Sequence, residues 1–176
     1  MQLSDELIDL HRRASSVGVN KETIMTQKLT PCFWLKSQAE EAALYYAKLF
    51  KSPAPSINRM PDGSVLTAHV NILGTTFMLL NGNDRHTPNE SFSISIDCKD
   101  QAEVDYYWDA FVGDGGAESM CGWCKDKFGI SWQVIPEALS RTMGGPDRAA
   151  SGRAMQAMLK MNKIIVADLE KAYAGK

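Results

Sequence analysis

Two stretches of this chain carry the same pattern: CFWLKSQAEEAALYYAKLF at residues 32–50 and SISIDCKDQAEVDYYWDAF at residues 93–111. In each, a short apolar run precedes Gln-Ala-Glu, and a stripe of apolar and aromatic residues comes after it. The run reads as a strand and the stripe as a helix. Gln38-Ala39-Glu40 and Gln101-Ala102-Glu103 stand 63 residues apart. Ser37 with Glu40, and Asp100 with Glu103, have the spacing of a capping box, in which each side chain satisfies an orphan amide of the first turn. The helical stripes are Ala39, Ala42, Ala43, Tyr46, Leu49 and Phe50 in the first copy. In the second they are Val104, Tyr107, Trp108 and Phe111.

The segments beyond the two helices repeat as well. Ser52-Pro53-Ala54-Pro55 stops the first helix, because proline cannot continue it. A short strand near Ser56–Arg59, a Pro61-Asp62-Gly63 turn, the alternating run LTAHVNIL (66–73) and TTFMLLN (75–81) come next. In LTAHVNIL, Ala68, Val70 and Ile72 share one face and Thr67, His69 and Asn71 the other. After the second helix, GDGG leads to a short strand around Ala117–Cys121. The hairpin WCKDKFGISW, with Phe128-Gly129 near its turn, and SWQVIP (131–136) complete the copy. A strand, a helix and three strands therefore occur twice. Such an internal repeat outweighs any single motif as evidence of fold. The expectation is an α+β fold of two tandem βαβββ modules, about 28–82 and 91–136. Helices over 137–174 come after them, and an N-terminal helical appendage over 1–27 precedes. Leu3, Leu7, Leu10 and Ala14 give the appendage its helical spacing, with Ser4 as N-cap, and Met25 reads as a reasonable protein start. Met155, Met158, Leu159, Ile165, Leu169 and Tyr173 form a broken stripe, interrupted near Asn162-Lys163, that reads as packing surface.

Composition excludes several classes. The 176 residues are 44% apolar and 23% charged with a net charge of −2. No basic run suggests nucleic acid or an anionic membrane surface. No apolar stretch is long enough to span a bilayer, and the first residues lack the apolar region of a secretory signal. A cytoplasmic protein is expected, with Cys32, Cys98, Cys121 and Cys124 reduced.

The stretches TPCFWLKSQAEEAALYYAKLF, HVNILGTTFMLLNG, WCKDKFGISWQV and AMQAMLKMNKIIVADLEKAY resemble the PhnB-like branch of the vicinal oxygen chelate superfamily. That superfamily includes glyoxalase I, bleomycin-resistance proteins and extradiol dioxygenases, and the branch carries the label 3-demethylubiquinone-9 3-methyltransferase. The resemblance implies that each module curls its strands into half of a cup-like mixed sheet, helices outside, around a pocket. It also implies a homodimer. Metal-dependent members place His, Gln or Glu on the first and last strands of the modules, where a divalent cation polarises substrate oxygens. The matching positions here are Cys32, Met78 or Leu79, Ser93 and Gln133. A one-residue slip brings in Phe33 or Phe92. A Cys, Met, Ser, Gln set is a poor cage for a hard divalent ion. Neither a metal nor any other cofactor is therefore expected. Nor is methyl transfer supported: the first strand runs into LKSQAEE without the glycine-rich turn that a nucleotide-like cofactor needs.

The candidate ligand pocket comprises Cys32, Trp34, His69, Met78, Ser93 and Gln133. By alternation Trp34 faces the pocket with Cys32. His69 lies on the polar face, for a pocket role or simply satisfied by Asn71 or a neighbouring strand. Gln133 needs a partner inside its strand. Trp132 should be core, Trp123 is a further pocket candidate, Asp126 and Lys125 read as surface charges, His86 as a solvated loop residue, and His11 belongs to the appendage. Cys121-Gly-Trp-Cys124 lacks the following helix that lowers a redox thiol's pKa, and no second pair completes a zinc knuckle. Three functions remain in view: a metal-free small-molecule-binding protein of a sequestering or resistance-like kind, a metal-dependent lyase- or dioxygenase-type enzyme with an unrecognised ligand set such as His69 with Gln133 and a water-held ion, and a thiol redox or zinc role for Cys121 and Cys124.

Overall fold

Alternation in LTAHVNIL decides which face of the first sheet is buried, and the computed structural model, which describes residues 28–176, bears it out. Ala68, Val70 and Ile72 are buried, while Thr67, His69 and Asn71 are half-buried. The first module runs β1 (Cys32–Leu35), α1 (Ala39–Leu49), β2 (Ser56–Arg59), β3 (Val65–Ile72) and β4 (Thr75–Asn81). The second runs β5 (Ser93–Cys98), α2 (Gln101–Gly113), β6 (Ala117–Glu118), β7 (Trp123–Lys125) and β8 (Ser131–Pro136). Each forms a four-stranded mixed sheet, ordered β1-β4-β3-β2 and β5-β8-β7-β6. In both, the first strand lies parallel to the last, with Cys32 opposite Met78 and Ser93 opposite Ser131. The repeat in the sequence is thus a repeat in topology. The expected N-terminal helix falls on residues 1–27, outside the described residues.

The two modules share one core. Tyr46 of α1 and Phe50, its C-cap, reach across to Trp132 of β8, each with its ring centroid 5.7 Å from that of Trp132. Trp132 stacks on Phe111 of α2 at 4.5 Å. Phe33 of β1 stacks on Phe77 of β4 at 5.3 Å. Burying rings of this size supplies the largest apolar contribution available to a domain of this length.

At the centre of this aromatic cluster lies a charge. Asp126, read from the sequence as a surface residue, is only 3% exposed. Its carboxylate accepts from Tyr46 Oη (2.6 Å), Trp132 Nε1 (2.8 Å) and the amides of Phe128 (2.9 Å) and Ile130 (3.0 Å). Four donors compensate the loss of water that would otherwise make a buried carboxylate prohibitive. Burial pushes its carboxyl above the usual range, and the Tyr46 and Trp132 hydrogen bonds pull it back. Lys125, its neighbour, is half-buried and pairs with Glu90.

Two local expectations are corrected by where backbone donors go. The expected strand to Cys121 stops at Glu118. Cys121 and Gly122 adopt left-handed φ values of 60° and 83°, and their amides donate to the carbonyls of Met161 and Asn162, both at 2.7 Å. The ladder loses those donors to the C-terminal segment. The first capping box is also absent: Gln38 is the N-cap of α1 without a side-chain bond, and the Ala39 amide donates instead to Asn81 Oδ1 at the end of β4 (2.8 Å). The second keeps its cap, with Asp100 accepting from the Glu103 amide (3.0 Å), but the Glu103 carboxylate accepts from the Lys99 amide (2.8 Å), one residue before the N-cap amide that the box calls for.

The C-terminal segment forms α3 (Glu137–Met143), α4 (Arg148–Met158) and α5 (Val166–Ala174), packed around Ala138, Ala154, Ile164 and Leu169. It folds back on the second module: Lys163 pairs with Asp105 (3.0 Å) and Asp109 (2.8 Å) of α2. Met155 and Leu159 of the predicted stripe stay exposed.

Replacing Asp126 by Ala leaves four aimed donors and a cavity among the rings. The expected loss of stability is about 3–5 kcal/mol, against about 1.5–3 kcal/mol for Tyr46→Phe, measured by urea unfolding. A change below about 0.5 kcal/mol for Asp126→Ala, the range of an ordinary surface substitution, would return Asp126 to the surface.

Candidate functional site

The side of each sheet away from the aromatic core collects the sequence-predicted site residues into two separate groups. Across the first sheet, Cys32, Met78, His69 and Ser56 are successive register partners and form one lateral row. Leu79, the alternative to Met78, is fully buried on the core side. On the second sheet Gln133 donates from Nε2 to Ser93 Oγ at 2.8 Å, so the glutamine finds its partner within the same sheet. Its register partners are Ser95 and Trp123, which places Trp123 beside it. His69 and Gln133 therefore stand on different sheets. Asn71 Oδ1 accepts from the Gly74 amide (2.9 Å).

A cleft of about 240 Å³ opens beside the first row, between β1 and the segment that links the modules. Cys32 and Trp34 line it, as the alternation of β1 predicts. The other walls were not foreseen: His86, Phe92 and Ser131. Trp34 is pinned by the linker. Its Nε1 donates to the Asn83 carbonyl (3.0 Å), and its ring lies so close over Gly82 that a β-carbon there would sit 2.0 Å from an indole atom. Only glycine leaves room for the indole. His86 meets the same indole edge-on, with centroids 5.0 Å apart. His86 is exposed in the linker, as read from the sequence, and it also borders the cleft, because the linker crosses Trp34. Phe92, 57% exposed, meets Phe33 edge-on at 6.5 Å. The signals available beforehand were a glycine directly after β4 and one large aromatic amid the polar run NESFS.

Among the described residues, no Asp, Glu, Lys or Arg side chain lines this cleft. Among the described residues, no three His, Cys, Asp or Glu side chains group closely enough to hold a metal ion. At the positions where metal-dependent relatives of the fold carry ligands, this chain offers a thiol, a thioether and a Ser–Gln pair already bonded to each other. That donor set does not fit a hard divalent cation. A nucleotide-like methyl donor fits no better. The β1–α1 connection has no glycine, and the first helical amide, at Ala39, is already taken by Asn81.

The Cys121-Gly-Trp-Cys124 segment separates its thiols. Cys124 is 1% exposed in the core, and burial pushes its thiol up to about 12. Cys98 is likewise buried and raised to about 12. A redox dithiol needs the opposite shift. Cys32 is open to solvent, although partial desolvation raises it too.

Residues 27–135 match the family model described as 3-demethylubiquinone-9 3-methyltransferase. A PhnB protein from Bacillus cereus, described as a putative 3-demethylubiquinone-9 3-methyltransferase, is 28% identical. The match covers 62% of this chain and 99% of that one, with a TM-score of 0.55. A Pseudomonas aeruginosa protein has the same fold at 18% identity and a TM-score of 0.52, covering 64% of this chain and 98% of that one. No curated protein matches the chain. The family match ends at Ile135, so α3–α5 lie outside it. No helix among the described residues is long and apolar enough to cross a membrane.

A disulfide reagent must reach the sulfur it attacks, so burial fixes an order of reactivity among the four thiols. At about pH 8, close to the ordinary thiol pKa, an aromatic disulfide should label Cys32 and Cys121 rapidly in the folded protein. Cys98 and Cys124 should react only on denaturation. Mass spectrometry of the labelled peptides reads this out, and fast native labelling of Cys124 would contradict its burial.

Proposed function

The chain belongs to the family described as 3-demethylubiquinone-9 3-methyltransferase, the PhnB-like branch of the vicinal oxygen chelate superfamily, and from that premise we propose that it is a metal-independent small-molecule-binding protein acting in the cytoplasm. The observation that carries this reading is the cleft beside β1, walled by Trp34, His86 and Phe92 with no carboxylate, lysine or arginine. Aromatic walls favour a flat apolar body by dispersion and edge contacts. The absence of a fixed counter-charge disfavours a strongly charged ligand, which would lose its hydration without compensation. The methyltransferase in the family's description adds no step here, since the residues present do not form a cradle for a methyl donor. A cleft of about 240 Å³ suits a ligand of one or two rings.

The test is a thermal-shift screen of small aromatic compounds, matched in size and differing in charge. A compound that binds only the folded state raises the melting temperature by mass action. Neutral aromatics should stabilise the wild type more than their carboxylate or ammonium counterparts, and Trp34→Ala should abolish the shift. Added Mn, Fe, Ni or Zn should leave the melting temperature unchanged. A metal-dependent rise that disappears in Gln133→Ala would replace this reading with that of a metal-dependent enzyme.

A further inference from the structure

The lateral row on the outer face of the first sheet has a chemistry that the cleft does not use. Cys32 of β1, Met78 of β4 and His69 of β3 are successive register partners, so a thiol, a thioether and an imidazole stand side by side on one face. Solvent reaches the row: Cys32 is exposed, and Met78 and His69 are half-buried. Among the described residues, no hydrogen bond or ion pair engages any of these three side chains. All three sets of donor lone pairs are therefore open.

The spacing allows the donors to meet. Neighbouring strands lie about 4.8 Å apart, so Cys32 and His69 stand across roughly 10 Å with Met78 between them. The thiol from one side and the longer imidazole from the other can converge above the Met78 thioether. Rotation between staggered side-chain conformers is enough, and the sheet need not move.

The donors decide which ion fits. Thiolate and thioether select soft ions, and imidazole suits copper as well as zinc. A thioether is not among the ligands that zinc takes, and Cu(II) prefers a square plane of nitrogen and oxygen. Cu(I) is the ion that accepts all three. The flanking rows are Trp34, Leu80 and Thr67 on one side and Thr76 and Asn71 on the other. They hold no carboxylate to draw a hard cation. Trp34 and Leu80 also give the row an apolar flank, which limits solvent access to a bound ion.

We propose that Cys32, Met78 and His69 form a binding site for a soft monovalent metal ion, Cu(I). The Cys32 thiol releases its proton to solvent as the sulfur–metal bond forms, and the oxidation state of copper does not change. The site goes beyond the binding function proposed above and does not rest on it. The cleft needs no metal, and of the three ligands only Cys32 also lines it. The set also differs from that of metal-dependent relatives, which draws on both modules: Ser93 and Gln133 stay paired with each other on the second sheet.

The test is anaerobic titration of the full-length protein with Cu(I) in competition with a chromogenic Cu(I) chelator, with Ag(I) as the air-stable probe for NMR. The wild type should hold a single ion against the chelator, and Cys32→Ser should release it. Met78→Leu and His69→Gln should each weaken binding by no less than the roughly 10–100-fold that loss of a mere supporting partner costs a metal site. Ag(I) should shift the Met78 methyl and His69 ring signals together. Zn(II) should leave both in place. The three variants should melt close to the wild type, since the row lies on the open face of the sheet. If Cys32→Ser releases the ion while Met78→Leu and His69→Gln keep full affinity, a lone thiol holds it and the site is overturned. Release by Cys121→Ser in place of Cys32→Ser overturns it too, as does a wild type that cedes all its Cu(I) to the chelator. None of these outcomes touches the thermal-shift test of the cleft, so either reading can fail without the other.

Discussion

The carboxylate of Asp126 sits where the two modules meet, and much of the structure is arranged to keep it there. A carboxylate withdrawn from water costs several kcal/mol unless donors replace its hydration. Here the replacements come from both modules: a phenol from α1 of the first, and an indole and two amides from the second. None is a spare surface group. Tyr46 is fully buried, and Trp132 carries the ring stack that includes Phe50 and Phe111. Hydrophobic burial alone tolerates sliding between packed layers. Four directional bonds to one small anion do not. The carboxylate therefore sets how α1 of the first module docks on β8 of the second.

That docking positions the cleft. With α1 fixed against β8, β1 and the start of β8 come close enough for Cys32, Trp34 and Ser131 to share a wall. The linker from Gly82 to Phe92 closes the remaining side, held by the Trp34 indole on the Asn83 carbonyl. A structural charge and a glycine under a ring thus belong to one arrangement. Fold membership and chemistry are separate questions, and the proposed binding role rests on the local geometry of the cleft.

Much of the architecture was legible because it rests on local periodicity. The alternation of residues 66–73 and the stripes after each Gln-Ala-Glu named the strands, the helices and their buried faces. The repeat carried the order of elements in each module, but not the parallel pairing of β1 with β4 and of β5 with β8. What was not legible depended on partners far away in the chain. Lys125-Asp126-Lys127 looks like a charged turn, but Asp126 is a core residue, met by Tyr46, 80 residues earlier, as well as by nearby Trp132, Phe128 and Ile130. Ser37 has the spacing of a cap, but Asn81 arrives first at the Ala39 amide. Residues 117–121 have strand character, but the carbonyls of Met161 and Asn162 take two donors from the ladder's end. His86 is exposed, as it reads, but the linker's crossing of Trp34 also makes it a wall of the cleft. Of the predicted pocket residues, Cys32 and Trp34 share the cleft. His69 and Met78 extend their row, and Ser93 and Gln133 pair with each other on the second sheet.

The central claim is that ligands enter beside β1, against Trp34. Four indoles report on this separately: Trp34, Trp108, Trp123 and Trp132. Trp108 and Trp132 are buried at 2% and 0% exposure, while Trp34 and Trp123 are half-buried on different sheets. The direct measurement is the indole N–H region of an NMR spectrum of ¹⁵N-labelled protein during titration with benzamide. The account predicts that the Trp34 signal moves furthest and saturates, with Trp108 and Trp132 nearly stationary. Movement of Trp123 alone would place the ligand on the second sheet, and a saturating titration that leaves Trp34 unmoved would contradict the account outright.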